Sequence, residues 1–165
     1  MCSSDLGTMG YGLPAAIGAK LGRPDRSVVL VTGDGSFQMN IQELATIASY
    51  GIPVKIVLLN NRVLGMVRQW QTIFYESRYS QTCTGSVPDF CVLASAYGIP
   101  AVRIKNQGQL GLLQEALTSE GPYLVEVSVD PDESVWPMVA PGAALCEMFH
   151  AAKAPTPSWQ RRAKS

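Results

Sequence analysis

The length and composition of this chain describe one globular domain with a sizeable core. Its 165 residues are 47% hydrophobic and 16% charged, a balance that excludes an intrinsically disordered chain. Lysine and arginine together number 13, as do aspartate and glutamate, so the formal net charge is zero. A neutral chain lacks the electrostatic signature of a protein that binds nucleic acid or an anionic membrane.

The sequence also argues against a secreted protein, a membrane protein and two kinds of enzyme site. No apolar run reaches the roughly 18 to 20 residues of a membrane span, and the N-terminus does not resemble a secretory signal. We therefore expect a cytoplasmic protein with reduced cysteines. His150 is the single histidine, with Cys146 at helical spacing, and there is no G-x-S-x-G motif. Zinc binding and Ser-His-Asp hydrolysis are both disfavoured.

The N-terminal part of the chain predicts a glycine-rich loop followed by a helix. Residues 1–6 show no structural pattern, and we expect them to be a truncated or non-native leader. The glycines between Gly7 and Gly12 allow close approach of the backbone to a ligand. Pro14 suits the first helical position, positions 15–21 continue the helix, and Gly22 ends it before Pro24.

A strand, a glycine turn and a helix are predicted next. Residues 27–32 form a β-branched apolar run, which favours a strand buried on both faces of a parallel sheet. The segment Gly33-Asp34-Gly35 predicts a sharp turn, and a turn that leads into a helix favours a phosphate ligand. The N-cap of that helix is predicted at Asn40, with Glu43 three residues later. Its apolar stripe comprises Ile41, Leu44, Ala45, Ile47 and Ala48.

Two oxygen ligands are expected to meet at one edge of this sheet. Residues 54–59 predict a second buried strand, which leads into Asn60-Asn61. A right-handed strand–helix–strand crossover places the carboxyl ends of both strands side by side. The carboxylate of Asp34 and the amide oxygen of Asn61 are hard ligands that suit Mg²⁺ together with a phosphate. An ordinary turn in which Asp34 caps a helix is the alternative.

The rest of the sequence alternates helices and strands. Residues 62–71 predict a short helix, and further helices are predicted at 89–97 and 109–119. Strands are predicted at 101–104 and 123–129. This alternation indicates an α/β fold, a doubly wound and largely parallel sheet with helices on both faces. We expect the domain to span residues 7–150 and residues 151–165 to form a mobile basic tail.

The interval between the two polar motifs resembles the thiamine-diphosphate signature, in which Gly-Asp-Gly precedes Asn-Asn by two dozen or so residues. The resemblance implies that Asp34, Asn61 and the backbone carbonyl of Val63 hold Mg²⁺ against the cofactor diphosphate. The residues that it places at the cofactor are Gly7, Thr8, Met9, Gly33, Asp34, Gly35, Ser36, Asn61, Val63, Leu64, Gly65 and Met66.

Two further motifs resemble the large subunits of acetohydroxyacid (acetolactate) synthases. They are Gly-Thr-Met-Gly at positions 7–10 and Asn-Asn-x-x-x-Gly-Met-Val-x-Gln-Trp at positions 60–70. The resemblance implies that Met9 supports the bent cofactor and that Met66 and Trp70 face the substrate cavity. In that family the tryptophan favours 2-ketobutyrate over pyruvate as second substrate. Core packing is the alternative for these side chains.

The resemblance also implies the activity and partners of a complete enzyme. These are decarboxylation of pyruvate and carboligation to a second 2-oxoacid, pyruvate or 2-ketobutyrate, in branched-chain amino acid biosynthesis. A pyrimidine-binding domain and an FAD-holding domain would lie outside this chain, which we expect to be inactive alone. A homodimer or tetramer, with a regulatory small subunit as a further partner, is implied. A 2-oxoacid decarboxylase, a pyruvate oxidase and a non-catalytic anion-binding module remain alternatives.

Overall fold

The computed structural model describes residues 7–85, 88–140 and 142–150, and the chain divides into two compact units. We call the first the sheet unit, formed by Met1–Arg62 and Gly85–Asp130. We call the second the helix–loop unit, formed by Val63–Thr84 and Pro131–Ser165. The leader and tail predicted at residues 1–6 and 151–165 lie outside the described residues.

The sheet unit contains four strands, all parallel, in the order β1-β2-β4-β3. The strands are β1 (Val28–Gly33), β2 (Val54–Asn60), β3 (Ala101–Ile104) and β4 (Tyr123–Ser128). The helices of this unit are α1 (Gly12–Gly22), α2 (Asp34–Gln38), α3 (Leu44–Tyr50), α5 (Phe90–Ala96) and α6 (Gly111–Thr118). Helix α4 (Gly65–Phe74) belongs to the helix–loop unit. Short 3₁₀ turns at Ile41–Glu43 and Gln107–Gln109 precede α3 and α6.

Helices cover both faces of this sheet, as the doubly wound α/β prediction requires. Leu124 of β4 is buried in a large cluster with residues of α1, α2, α3 and α5. The next residue, Val125, is buried in a second cluster with Ala116 of α6 and Ile104 of β3. Consecutive residues of a strand point to opposite faces, so the two clusters lie on opposite sides of the sheet. The predicted fold class is confirmed.

The strand predicted at residues 27–32 is not buried on both faces. It is β1, at one edge of the sheet, and 55% of the surface of Val31 is exposed. An apolar run cannot reveal whether its strand will lie at the centre or the edge, because strand order depends on the rest of the fold. The prediction is only partly correct for β2, because Val54, Ile56 and Leu58 on one face are completely buried whereas Leu59 on the other face is 39% exposed.

The segment after β1 also differs from the prediction. Helix α2 begins at Asp34 itself, so Gly33 occupies the N-cap position. Asn40 precedes a 3₁₀ turn and makes no side-chain cap hydrogen bond. Its side-chain Nδ2 donates instead to the backbone carbonyl of Gly10 at 2.7 Å. A contact with a distant segment has therefore replaced the local cap.

The predicted apolar stripe of the following helix is only partly correct. Leu44 and Ile47 are completely buried, and Ile41 packs against their cluster. Ala45 and Ala48 are exposed. Helix α3 is two turns long, so it buries a narrow face.

The helix–loop unit is built around α4 (Gly65–Phe74). The helix buries Gln69, whose amide donates to the backbone carbonyl of Val135 and accepts from its N–H, both at 2.9 Å. A 3₁₀ turn at Leu145–Glu147 and an antiparallel bridge between Met138 and Phe149 lie near the end of the described chain. Among the described residues, no helix is long and apolar enough to cross a membrane.

Candidate cofactor and metal site

The site begins with a buried carboxylate at the carboxyl end of β1. Asp34 follows this strand directly and is 2% exposed. Burial raises the pKa of Asp34, while hydrogen bonds from the backbone N–H groups of Gly35 and Arg62 oppose the shift. A cation placed beside this carboxylate would offset the cost of burying its charge. The buried carboxylate oxygens of Asp34 are therefore suitable ligands for a divalent metal ion.

The end of β2 lies against this carboxylate. Gly33 and Leu59 are register partners in the parallel ladder, and Asn61 comes directly after β2. The backbone N–H of Arg62 lies 3.1 Å from Asp34 Oδ2 and 3.2 Å from Asn60 Oδ1, so one donor joins both side chains. The structure thus brings Asp34 and the Asn60–Arg62 segment together at the carboxyl ends of β1 and β2.

Asn60 is hydrogen-bonded to a buried polar network, formed by Glu126 and Arg103, that sequence reasoning missed. Its Nδ2 donates to Glu126 Oε1 at 2.8 Å, and Arg103 Nε donates to Glu126 Oε2 at 2.8 Å. Arg103 also pairs with Asp89 at 2.7 Å. The available signal was Glu126 itself, a charged residue within the apolar run of β4. Such a residue needs a partner when its strand is buried.

The ligand atoms of Asp89, Cys91 and Glu126 lie within 4.8 Å of one another, close enough to suggest a metal group. Arg103 pairs with both carboxylates of this group. Its guanidinium already provides the compensating positive charge, so the cluster is explained as an ion-pair network.

The glycine-rich loop is held against α2. The backbone N–H of Gly10 donates to Ser36 Oγ at 3.0 Å, and the Gly10 carbonyl accepts from Asn40 at 2.7 Å. A groove runs beside this contact, and Gly7, Thr8, Gly33 and Ser36 are among the residues that line it. Four residues predicted at the cofactor therefore line one groove. Met9 of the same loop is 40% exposed.

The remaining predicted residues belong to the helix–loop unit. Val63 is buried and forms a bridge with Cys83, and Leu64 and Gly65 stand at the start of α4. Met66 and Trp70 are 50% and 37% exposed. Trp70 packs edge-on against the buried ring of Phe74, with ring centroids 5.6 Å apart, so core packing explains part of its surface. Their roles toward cofactor and substrate stay predictions.

Comparison with known proteins decides the family. Residues 1–127 match the family described as thiamine pyrophosphate enzyme, C-terminal TPP binding domain. The chain belongs to this family. The resemblance drawn from the motifs at Asp34 and Asn61 is thereby confirmed, and so is thiamine diphosphate as the cofactor of this fold.

Curated relatives support the narrower resemblance. The chain is 54% identical over 148 residues to the acetolactate synthase isozyme 2 large subunit of Escherichia coli, covering 89% of this chain and 27% of that protein. It is 52% identical over 155 residues to the acetolactate synthase large subunit of Pyropia yezoensis, covering 93% and 26%. A probable acetolactate synthase large subunit of Methanocaldococcus jannaschii is 50% identical over 146 residues, covering 88% and 24%. The chain spans about a quarter of the length of these relatives.

Proposed function

We propose that this chain is the thiamine-diphosphate-binding part of an acetolactate synthase large subunit. The complete enzyme decarboxylates pyruvate and joins the two-carbon unit to pyruvate or 2-ketobutyrate, in the biosynthesis of valine and isoleucine. The observation that carries this proposal is about 50% identity to acetolactate synthase large subunits across nearly the whole chain. The bound cofactor supplies the electron sink for the decarboxylation, while the chain binds and orients it.

The metal is assigned to the carboxyl edge of the sheet. Asp34 and Asn61 are its side-chain ligands, and the carbonyl of Val63 is a third ligand on the resemblance alone. The burial of Asp34 and its hydrogen bond from the Arg62 N–H support the assignment, because they fix a desolvated carboxylate beside the end of β2. Mg²⁺ suits this site because it favours oxygen ligands and shares its coordination with phosphates.

The cofactor diphosphate is assigned to the groove residues and the start of α2. Gly7, Thr8, Gly33 and Ser36 line that groove, and Gly35 lies in the first turn of the helix. Met9 is assigned as the support of the bent cofactor. Leu64, Gly65 and Met66 are assigned as further cofactor contacts, and Met66 and Trp70 as the wall of the substrate cavity. The exposure of Met9, Met66 and Trp70 supports a ligand-facing role.

The partners follow from the same proposal. Residues 7–150 act with a pyrimidine-binding domain and an FAD-holding domain elsewhere in the complete polypeptide. That polypeptide works in the cytoplasm as a homodimer or tetramer and accepts a regulatory small subunit. The 165-residue chain alone is inactive.

Product analysis on the complete polypeptide tests the reaction. With pyruvate, thiamine diphosphate, Mg²⁺ and FAD, we expect acetolactate, and 2-ketobutyrate should be the preferred second substrate. Acetaldehyde would indicate a decarboxylase instead, and acetate a pyruvate oxidase. Either product in place of acetolactate would overturn the proposed reaction.

Cofactor titration tests the site. We expect Asp34→Ala to lose Mg²⁺-dependent binding of thiamine diphosphate, measured by calorimetry. The matched control is Asp25→Ala, which removes an exposed carboxylate paired with Arg23 and should bind as the wild type does. Cofactor binding that persists in Asp34→Ala would refute the metal assignment.

A further inference from the structure

We propose that Glu126, held by Arg103, is a positioning residue for the metal end of the cofactor site. It acts through Asn60, the first residue of the Asn-Asn pair, and touches neither metal nor cofactor. The inference rests on the proposed function and adds a residue to it that no motif contains. Every residue in the argument belongs to the sheet unit.

An unbroken chain of hydrogen bonds runs from β3 to the residue that follows β1. Arg103 Nε donates to Glu126 Oε2, and Glu126 Oε1 accepts from Asn60 Nδ2, both at 2.8 Å. Asn60 Oδ1 then shares the backbone N–H of Arg62 with Asp34 Oδ2. A change at Glu126 therefore reaches the Asp34 carboxylate through two intermediates.

The carboxylate of Glu126 fixes the orientation of the Asn60 amide. A carboxylate only accepts hydrogen bonds, so Asn60 must present its NH₂ group to Glu126 and its oxygen to Arg62. If the amide were reversed, its NH₂ group would face the Arg62 N–H, and two donors would oppose each other. Glu126 thus selects the arrangement in which the Arg62 N–H is shared with Asp34.

Arg103 holds the Glu126 carboxylate in position. Glu126 is 3% exposed, and a charge so deeply buried requires a partner. The guanidinium meets Glu126 Oε2 on one side and Asp89 at 2.7 Å on the other. The thiol of Cys91 also donates to Glu126 Oε2, at 3.6 Å. Donors therefore face both oxygens of Glu126.

The backbone at Arg62 shows why this support is needed. Its φ is 58°, in the left-handed region that residues with a Cβ atom rarely occupy. The hydrogen bonds from its N–H to Asp34 and Asn60 hold it there. Arg62 immediately follows Asn61, the proposed amide ligand, so the orientation of the peptide between them affects the ligand geometry as well.

Glu126→Gln in the complete polypeptide tests the proposal. Glutamine keeps the shape, but its NH₂ group must face one of the two donors, Asn60 Nδ2 or Arg103 Nε. We expect the Mg²⁺ concentration for half-saturation, followed by calorimetry at saturating thiamine diphosphate, to rise on the order of tenfold. Once Mg²⁺ saturates, we expect kcat to stay within about twofold of the wild-type value, because the group acts only on positioning.

A second readout requires no cofactor. Hydrogen exchange at the Arg62 amide, followed by mass spectrometry of the metal-free protein, should be faster in Glu126→Gln than in the wild type. Asn60→Ser removes the link between Glu126 and Arg62 while it keeps the Glu126–Arg103 pair. We expect it to reproduce the Mg²⁺ shift, and the double variant should show no larger shift than either single variant.

Lys55→Met is the matched control for general destabilisation. Lys55 is also a buried charged residue of β2, but its ammonium bonds to Ser119 and Gly121 and not to Asn60. We expect a lower melting temperature with unchanged Mg²⁺ half-saturation. A wild-type Mg²⁺ requirement in either folded Glu126→Gln or folded Asn60→Ser overturns the positioning role. Absence of Mg²⁺-dependent cofactor binding in the wild type itself overturns the proposed function instead.

Discussion

The side-chain Nδ2 of Asn40 donates to the carbonyl of Gly10 at 2.7 Å, which joins the glycine-rich loop to the segment after α2. Gly10 in turn donates its N–H to Ser36. The loop that carries Met9 is therefore held from two sides by residues about thirty positions further along the chain. Because Asn40 lies so close to Gly10, a methyl group added at Gly10 would collide with it.

Gly10→Ala should destabilise the protein by roughly 1–3 kcal/mol, because the added Cβ suffers both strain and crowding. The φ of Gly10 is +86°, and a Cβ would lie 2.8 Å from Asn40 Nδ2 and 3.0 Å from Met39 Cβ. Gly18→Ala is the control, since a Cβ there meets nothing within 4 Å, in the middle of α1. It should stabilise by about 0.5–1 kcal/mol. Urea denaturation measures the free energy of unfolding of both variants. Equal changes in Gly10→Ala and Gly18→Ala would contradict the prediction.

Lys55→Met should lower the free energy of unfolding by about 2 kcal/mol, since it leaves partly buried acceptors unpaired. The Lys55 ammonium donates to the carbonyl of Ser119 at 2.7 Å, to its Oγ at 2.8 Å and to the Gly121 carbonyl at 2.8 Å. These acceptors follow the C-terminus of α6, where a cation is also favoured by the helix dipole. Lys20→Met is the control.

Lys20 also donates to two carbonyls, those of Pro24 and Arg26, but these bonds are exposed. Water can replace them, so its removal should cost less than about 0.5 kcal/mol. Thermal and urea unfolding compare the two variants. A cost at Lys20 as large as that at Lys55 would show that burial is not the cause.

Cys91 should resist alkylation up to high pH. Burial, with a contribution from the Glu126 charge, raises the pKa of its thiol from 9.0 to about 11. At pH 9 only about one such thiol in a hundred is ionised, and the thiolate is the reactive form. Iodoacetamide followed by peptide mapping should modify the exposed Cys83 and Cys146 first. Modification of Cys91 at an equal rate would refute the raised pKa.

The same pKa predicts a loss of stability in alkali. Because the folded-state pKa of Cys91 lies above its ordinary value, the thiol contributes stability that is fully present below about pH 9. That contribution is lost as the pH rises from 9 towards 11. We expect the melting temperature of Cys91→Ala to fall less than that of the wild type between pH 9 and 11. Parallel plots of melting temperature against pH for the two proteins would disprove the contribution of Cys91.

Asp89→Ala should destabilise the protein by about 1 kcal/mol through the loss of a helix cap. Asp89 Oδ1 accepts from the N–H groups of Cys91 and Val92 at 3.0 and 3.1 Å, at the start of α5. Asp89→Asn keeps this acceptor and loses only the charge that faces Arg103. We expect the asparagine variant to recover most of the stability in urea denaturation. If both variants lost the same stability, the effect would come from the ion pair with Arg103 and not from the helix cap.

Much of the fold and the outline of the site could be predicted from the sequence. The alternation of apolar runs and helical stripes was sufficient to predict a parallel α/β sheet, which the strand order confirms. The motifs around Asp34 and Asn61 predicted the thiamine-diphosphate family, which the family match confirms. These signals are local, because a strand period, a glycine turn or a motif spacing lies within one short stretch of the chain.

The tertiary structure alone decided which distant residues meet. It placed β1 at the sheet edge and exposed Val31, it turned Asn40 from a predicted helix cap into a partner of Gly10, and it connected Arg103 through Glu126 to Asn60. Such pairings depend on strand order and register, which no local periodicity encodes. The sequence by itself determined the elements and the chemistry at the strand ends, whereas folding determined the contacts that hold this chemistry in place.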